Sequence, residues 1–416
     1  MSKLSGGSEW ALLVAPEPPY PINGGGAMRT ASLLHFLASR FRLHLVTFAL
    51  GEGPDPEDPL PPNTVERLDW IHLPHHHKNT AARMARNAGR LMRGVLPLTD
   101  RFCGPPSLQQ AARAVAGRRY ALAVLEHFWC AAYLDLLRSQ TDCVAIDMVD
   151  IESALHARCA HTEPWPARLG HMAFARMARR AEREWLPKFD LVLATSEPDR
   201  QKILDLAPGA NVTIYPNAIP LRFAGEIEEE HCVAFSGNLE YQPNVGAVRF
   251  FRRQVWPELR SRDPKLRWRL IGRNEWAVRE LIAGDARIEA TGTVEDPLRE
   301  LARAKVVVVP VLAGSGTRVK ILEAWAAGRA VVSTRLGAEG LPAVDGENVI
   351  LADSPSEMAA AILTLLQNGE LRHRLGEAGR RAIEQQLCWP VVWRSLEQSL
   401  AALLPAGGRG RVPVSA

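Results

Sequence analysis

Short apolar runs alternate with amphipathic stretches along most of this chain, and that alternation predicts strands separated by helices. Trp10 to Ala15 (WALLVA) reads as a first buried strand. A proline-rich turn (Pro16, Pro18, Pro19, Pro21) and the triplet Gly24, Gly25, Gly26 follow it. A helix is then expected from Ala27 to Arg40, and a second strand from Leu43 to Phe48. Gly51 to Pro62 is rich in proline and acid and reads as a loop. Further strands are expected over 67–73, 121–126, 143–148 and 191–195, with helical stretches between them. Strands alternating with helices imply a parallel, doubly wound sheet.

A second set of alternating elements begins at Cys232–Ser236 and continues to Gln385. Tyr215 to Pro220, with the acidic Glu226 to Glu230 beyond it, has the composition of a linker. The expected division is a first domain over 1–218, a second over 219–388, a terminal helix over 389–404 that crosses back to the first domain, and a disordered tail over 405–416. Ligands of open α/β sheets bind beyond the carboxyl ends of the strands. Two such domains facing a cleft would each bring one substrate, a geometry suited to group transfer.

Composition narrows the class. With 416 residues, 47% hydrophobic and 23% charged, the chain has the make-up of a soluble protein of two ordinary domains. A net charge of +4 gives no reason to expect a nucleic-acid partner. The six cysteines, at 103, 130, 143, 159, 232 and 388, form no CxxC pair, which fits neither a zinc site nor a disulfide scaffold. No stretch approaches the ~20 apolar residues that span a bilayer, and the first residues lack the apolar core of a signal peptide. The expectation is a cytoplasmic protein with reduced thiols.

The most informative string is Pro310 to Leu341. A β-branched run, Val306 to Val309, ends at Pro310 and enters a loop with Gly314, Ser315 and Gly316. Thr317 is expected to open a helix carrying Arg318, Lys320 and Glu323, and Gly328 closes it before a strand from Ala330 to Thr334. Glycines let backbone approach an oxygen-rich ligand, and a helix N-terminus offers unpaired N–H groups and partial positive charge. Lys320 and Glu323, three apart, share a helix face. A cation for a diphosphate and a carboxylate for a ribose diol would together make a nucleotide-sugar site. The plain alternative is a generic strand–turn–helix with a well-capped helix.

This string, with Gly316, Lys320, Glu323–Ala324, Ala326, Gly328, Ala330–Val332 and Gly337–Gly340, closely resembles the donor-site signature of retaining glycosyltransferases of family 4, which have the GT-B fold of two Rossmann-like domains. Ser315 stands where many members carry a second carboxylate. Asn238 and Pro243, in Phe235 to Asn244, stand where an arginine and a lysine usually neutralise phosphates; that form resembles an exopolysaccharide-linked subset. The resemblance implies an acceptor-side first domain and a nucleotide-sugar-binding second domain. It implies sugar transfer with retention from a nucleotide-diphosphate sugar to the hydroxyl of a glycan or lipid-linked glycan, with no metal and no cofactor. A sugar-nucleotide epimerase of the same fold and a degenerate, non-catalytic binding protein are the alternatives.

The resemblance also assigns roles. Gly314, Ser315, Gly316, Thr317, Arg318, Lys320 and Glu323 would hold the donor, with Gly25 and Gly26 from the first domain and Arg29 as a further cation. The bland alternative for the glycine triplet is a flexible turn beside a solvent-exposed arginine. Arg273 would flank the base or stand solvated, and Thr291 to Val294 with Asp296 resembles a base-reading loop. His127, expected at a strand's carboxyl end, would orient the sugar or merely cap the strand, with Glu126 pointing the other way. Asp150, in Asp147 to Ser153, would bind the acceptor or act as a base, or else Asp150 or Ser153 caps the next helix. Thr195 to Glu197 and Asn217 read as structural. Arg83, Arg86, Arg90 and Arg93, spaced 3, 4 and 3, share one helical face beside Met84, Leu91, Met92 and Val95. That face would lie on anionic lipid at the membrane's cytoplasmic side, or simply be solvated. His75 to His77 could take up metal adventitiously.

Overall fold

The computed structural model describes residues 9–404, except 23, 52–53, 59, 75–79, 163–164, 166, 223–226 and 314–318, and except the side chains of 80–83 and 162. The chain divides into two units. One runs to Pro216 and resumes at Trp393; the other is Asn217–Val392.

The first unit is built on seven parallel strands: β1 (Trp10–Ala15), β2 (Arg42–Leu50), β3 (Arg67–Leu73), β4 (Tyr120–Glu126), β5 (Thr141–Met148), β6 (Leu191–Ala194) and β7 (Val212–Ile214). Their order is β3-β2-β1-β4-β5-β6-β7. Ala11 pairs with Leu43 on one side and Leu122 on the other. Central strands of such a sheet are covered on both faces, so WALLVA and YALAVLE read as nearly unbroken apolar runs. The chain starts mid-sheet, builds outward to β3, then returns beside β1. The strand order therefore reverses between β1 and β4, and a crevice opens beyond their carboxyl ends.

The helix after β1 spans Gly25–Ala38. It was expected from Ala27; instead the glycines form its first turn. Met28 N donates to Gly24 O at 2.9 Å, which leaves the amides of Gly25, Gly26 and Ala27 outside the helical ladder. The last helix, Trp389–Leu403, belongs to the first unit from Trp393 onward. There Trp393 Nε1 donates to Ser32 Oγ (3.1 Å), Ser395 Oγ to Ile214 O (3.3 Å), and Arg40 pairs with Glu397 (3.1 Å).

The second unit repeats the plan with β8 (Glu230–Ser236), β9 (Arg267–Ile271), β10 (Ile288–Ala290), β11 (Ala304–Val309), β12 (Ala330–Ser333) and β13 (Ile350–Leu351), ordered β10-β9-β8-β11-β12-β13. Its order reverses between β8 and β11. The acidic run expected as linker is partly structural. Glu230 opens β8 and accepts from Arg267 (2.5 Å), Arg269 (2.8 Å) and Arg303 (3.1 Å). Glu229 pairs with Arg329 (2.5 Å) and Arg372 (3.0 Å). These partners lie 37 to 143 residues further along the chain, beyond the reach of local composition.

Close packing fixes the helix Val319–Ala326. Gly328 ends it at φ +68, a left-handed conformation that glycine takes without strain. A Cβ on Gly379 would enter the Trp325 indole, so the helix Gly369–Ala382 presses its backbone directly on that ring. Trp325 Nε1 in turn donates to Asn348 O at 2.8 Å.

Candidate functional site

In the first unit, the crevice between β1 and β4 gathers groups from four elements. Arg29, from the helix after β1, is 1% exposed and grips Asp147 of β5 through Nε to Oδ2 (2.6 Å) and Nη2 to Oδ1 (2.5 Å). Its guanidinium also lies over the Tyr215 ring, 4.7 Å from the centroid. The expected phosphate-binding role for Arg29 is corrected here. A fork this deep, matched in both bonds by one carboxylate, holds the helix to the sheet.

Glu126 ends β4 and is buried; Thr30 Oγ1 lies 2.6 Å from its Oε2. Burial first, then the negative charge of Asp147, raises its carboxyl well above the ordinary value, which favours the protonated form. His127 follows with φ +64 and ψ 144, a backbone region that non-glycine residues occupy at a cost of ~1–3 kcal/mol. The turn is held: His127 N donates to Asp147 O (2.9 Å) and Cys130 N donates to His127 O (3.0 Å).

The imidazole stacks on Trp129 at 4.0 Å between centroids and 8° between planes. Trp129 Nε1 donates to Glu152 Oε1 at 2.6 Å. Burial, then the Arg29 charge, pushes His127 down to about 3. The ring is therefore neutral, able to donate or accept a hydrogen bond but not to carry charge. Glu152 is pushed up to about 8 by burial first and then by Asp150. Asp150 itself is half-buried just before the helix Glu152–Thr162, and Ser153 N in that helix donates to Glu182 Oε1 at 3.2 Å. The expected structural role of Thr195 to Glu197 has a clear form. Ser196 caps the helix Glu197–Leu206 by accepting from Asp199 N.

The crevice of the second unit is lined from β8 and the helix after β11. Lys320 and Glu323 stand on that helix, Val319–Ala326. Ser236 Oγ, at the end of β8, donates to Glu323 Oε2 at 3.1 Å. Burial raises Glu323, and the Lys320 charge opposes that shift. The Lys320 ammonium lies 5.4 Å from the centroid of the Phe235 ring and directly above Gly237 (φ +142), where a Cβ would collide with Nζ. The backbone angle of Gly237 favours glycine there, and any larger residue would displace the lysine that crosses it.

Asn238 does not present itself as a phosphate ligand. Its Oδ1 accepts from Asn274 Nδ2 (3.0 Å) and Glu240 N (3.1 Å), and its carbonyl accepts from Asn244 Nδ2 (2.7 Å), so it ties the loop together. Pro243 is buried in the first turn of the helix Gln242–Phe250. Arg273 is exposed, and its carbonyl accepts from Leu239 N at 3.0 Å. Asp296 caps the helix Pro297–Ala302 through Leu298 N and Arg299 N.

Gly314, Ser315, Gly316, Thr317 and Arg318 lie outside the described residues, as do His75 to His77; the helix expected to open at Thr317 is described from Val319. Of the basic face on the helix Thr80–Arg93, the side chain of Arg83 is likewise outside them. Arg90 is corrected: it is buried and paired with Asp100 at 2.9 Å, where Arg93 also reaches Asp100 at 3.2 Å. Among the described residues no cluster of three or more His, Cys, Asp or Glu could hold a metal ion, and no helix is long and apolar enough to cross a membrane.

Sequence reasoning missed Trp129, Glu152, Thr30 and Ser236. An indole two residues after His127 and a hydroxyl ending a buried strand were the available signals.

Comparison with known proteins adds to this geometry. Residues 230–368 match the family of glycosyl transferases group 1. A phosphatidyl-myo-inositol mannosyltransferase of Mycolicibacterium smegmatis is 29% identical over 175 residues; the match covers 41% of this chain and 44% of that protein's length. Among solved structures, a sucrose-phosphate synthase from Thermosynechococcus elongatus superposes with a TM-score of 0.71 at 17% identity, covering 95% of this chain and 99% of that one. Anabaena Alr3699/HepE, in complex with UDP and glucose, gives 0.63 at 12% identity, with 95% and 100% covered.

Proposed function

We propose that this chain, which has the GT-B fold and carries a glycosyl transferases group 1 segment over residues 230–368, moves a sugar from a nucleotide-diphosphate sugar to an acceptor hydroxyl. The observation that carries the proposal is the placement of Lys320 and a half-buried Glu323 on one helix at the crevice where the second unit's strand order reverses, close enough for the lysine charge to act on the carboxyl. Lys320, with Thr317 and Arg318 just before it in the sequence, would stabilise the departing diphosphate electrostatically. Glu323 would accept from the ribose diol in place of, or together with, Ser236 Oγ. The neutral, rigidly stacked His127 would orient the sugar by hydrogen bonding.

The amides of Gly25 and Gly26, outside the ladder of their helix, supply donors for a further oxygen of the donor or acceptor. Asp150, half-buried and on the same side of the sheet ends, is assigned to the acceptor hydroxyl. The sugar is transferred with retention, the departing phosphate assisting deprotonation of the attacking hydroxyl, and without a metal ion. A β-linked product from an α-linked donor would sink that mechanism. Structures of the same fold solved with UDP, UDP and glucose or UDP-2-fluoro glucose make uridine donors the first to try. The acceptor is a glycan or lipid-linked glycan in polysaccharide or glycoconjugate synthesis, handled at the cytoplasmic side of the membrane.

Thermal stabilisation by UDP-, GDP-, ADP- and dTDP-sugars tests the donor. A ligand at 100 times its dissociation constant adds about 2.7 kcal/mol of stability. One nucleotide should raise the melting temperature, and Lys320→Ala and Glu323→Ala should each abolish the rise. A shift that survives both substitutions would remove the basis of the proposal.

A further inference from the structure

His127 depends on its neighbours for the aim of its ring. Hydrogen bonds to Asp147 O and from Cys130 N fix its main chain, but among the described residues nothing hydrogen-bonds its ring nitrogens. The plane of the imidazole is set instead by Trp129, 4.0 Å away and 8° from parallel. Trp129 is itself clamped. Its ring stacks on Phe102 (5.5 Å between centroids, 16° between planes), its carbonyl accepts from Cys103 Sγ at 3.1 Å, and its Nε1 donates to Glu152 Oε1 at 2.6 Å. Stacked rings slide over one another at little cost, whereas a hydrogen bond weakens steeply with distance and angle. The bond to Glu152 is therefore what stops the indole slipping in its own plane. Glu152 is 5% exposed and opens the helix Glu152–Thr162. Ser153 N in that helix donates to Glu182 Oε1 of the helix Ala167–Trp185, so the carboxyl stands on a helix end tied to a second helix.

We propose that Glu152, acting through the indole N–H of Trp129, is a positioning residue that holds the His127 imidazole in one plane at the crevice. That the ring so held works on a sugar rests on the glycosyltransferase reading; the support of the ring does not. A stack fixes the plane of an imidazole and engages neither nitrogen in it, so both remain for the hydroxyls of a ligand. A ring free to tilt would spend little time aligned with those hydroxyls, and misplacement of this kind costs rate rather than binding. Two substitutions separate the bond from packing alone. Trp129→Phe keeps a stacking ring and loses the donor, while Glu152→Gln keeps an acceptor of nearly the same shape.

The test uses the full chain and two readouts. In chain carrying isotope-labelled histidine, the His127 ring protons, assigned by their loss in His127→Gln, should resonate upfield because of the indole ring current. Glu152→Ala and Trp129→Phe should each move those resonances, and Glu152→Gln should leave them at the wild-type position. The second readout is transfer of the sugar to water from UDP-glucose, then from the GDP-, ADP- and dTDP-glucose counterparts, which needs no acceptor. Water adds to the anomeric carbon as its bond to the diphosphate oxygen breaks. Glu152→Ala and Trp129→Phe should each lower kcat by at least about tenfold with KM unchanged, and Glu152→Gln should restore it. Because both act through one bond, the double variant Trp129→Phe with Glu152→Ala should be no slower than the slower single variant. Melting temperatures are recorded throughout; if Glu152→Ala does not fold, Trp129→Phe and Glu152→Gln decide. Resonances that stay in place in Trp129→Phe, a displaced ring with unchanged kcat, or losses that multiply in the double variant overturn the proposal. If the wild-type chain binds and hydrolyses none of the nucleotide sugars, the glycosyltransferase reading fails, and the resonances still decide whether Glu152 holds the ring.

Discussion

The two units order their strands alike and handle charge in opposite ways. Where its strand order reverses, the first unit buries ionisable groups: Arg29 with Asp147, Glu126, His127, and behind them Glu152 and Glu182. The second unit gathers a charge cluster at the amino-terminal rim of the sheet instead, where Glu229 and Glu230 collect five arginines between them. Only Lys320 and Glu323 approach its crevice from the described helix. Topology thus decides where a ligand can bind, while burial decides what each charge is worth. A half-exposed ion pair is screened by water, whereas a buried one cannot lose a partner cheaply.

That contrast can be broken by experiment. The largest effect is expected from Asp147→Ala, which strands the Arg29 guanidinium in the core and should cost about 3–5 kcal/mol of stability. Urea unfolding measures it, and a loss below about 1 kcal/mol would show that water reaches the pair.

A pH scan should sharpen the comparison next. His127 sits at about 3, and His44 and His156 at about 4, against an ordinary 6.5. The unfolded chain therefore binds protons that the folded chain refuses, and stability is lost as pH falls below about 6.5. Glu152 at about 8 and Glu182 at about 7, against 4.5, act in the other direction. Their contribution is whole below 4.5 and is lost as pH rises through 7 to 8. Glu152→Gln should flatten the alkaline limb of melting temperature against pH and leave the acid limb in place. Identical alkaline limbs in both proteins would remove Glu152 from that account.

The smallest effect is expected from Glu230→Ala, within about 1 kcal/mol despite its three arginine partners, because the site is half-exposed. A larger loss by the same urea assay would mean that the rim behaves like the core.

How much of this was visible in the sequence depends on the range of each interaction. Strands buried on both faces write themselves as apolar runs, so the parallel sheets could be read directly from WALLVA, YALAVLE and AKVVVV. Lys320 and Glu323 were legible because one helix turn carries both. Arg29 was misassigned because its partner Asp147 lies 118 residues away, and a glycine-rich turn followed by arginine has the same local pattern whether the arginine points out or in. Helical spacing grouped Arg90 with Arg86 and Arg93, but it carries no information about Asp100 across the next turn. The stack of His127, Trp129 and Glu152 depends on β4 and β5 lying side by side, which no local pattern encodes.

The return of the last helix to the first unit has a consequence for how this protein is made. Ser32 and Ile214 wait for Trp393 and Ser395 while the whole of Asn217–Val392 is synthesised. At ~5–20 residues per second that interval is on the order of ten seconds or longer, ample for the second unit to collapse and order as it leaves the ribosome. The half of the molecule translated first is therefore the half that matures last, and during that delay its open seam is the surface a chaperone would meet.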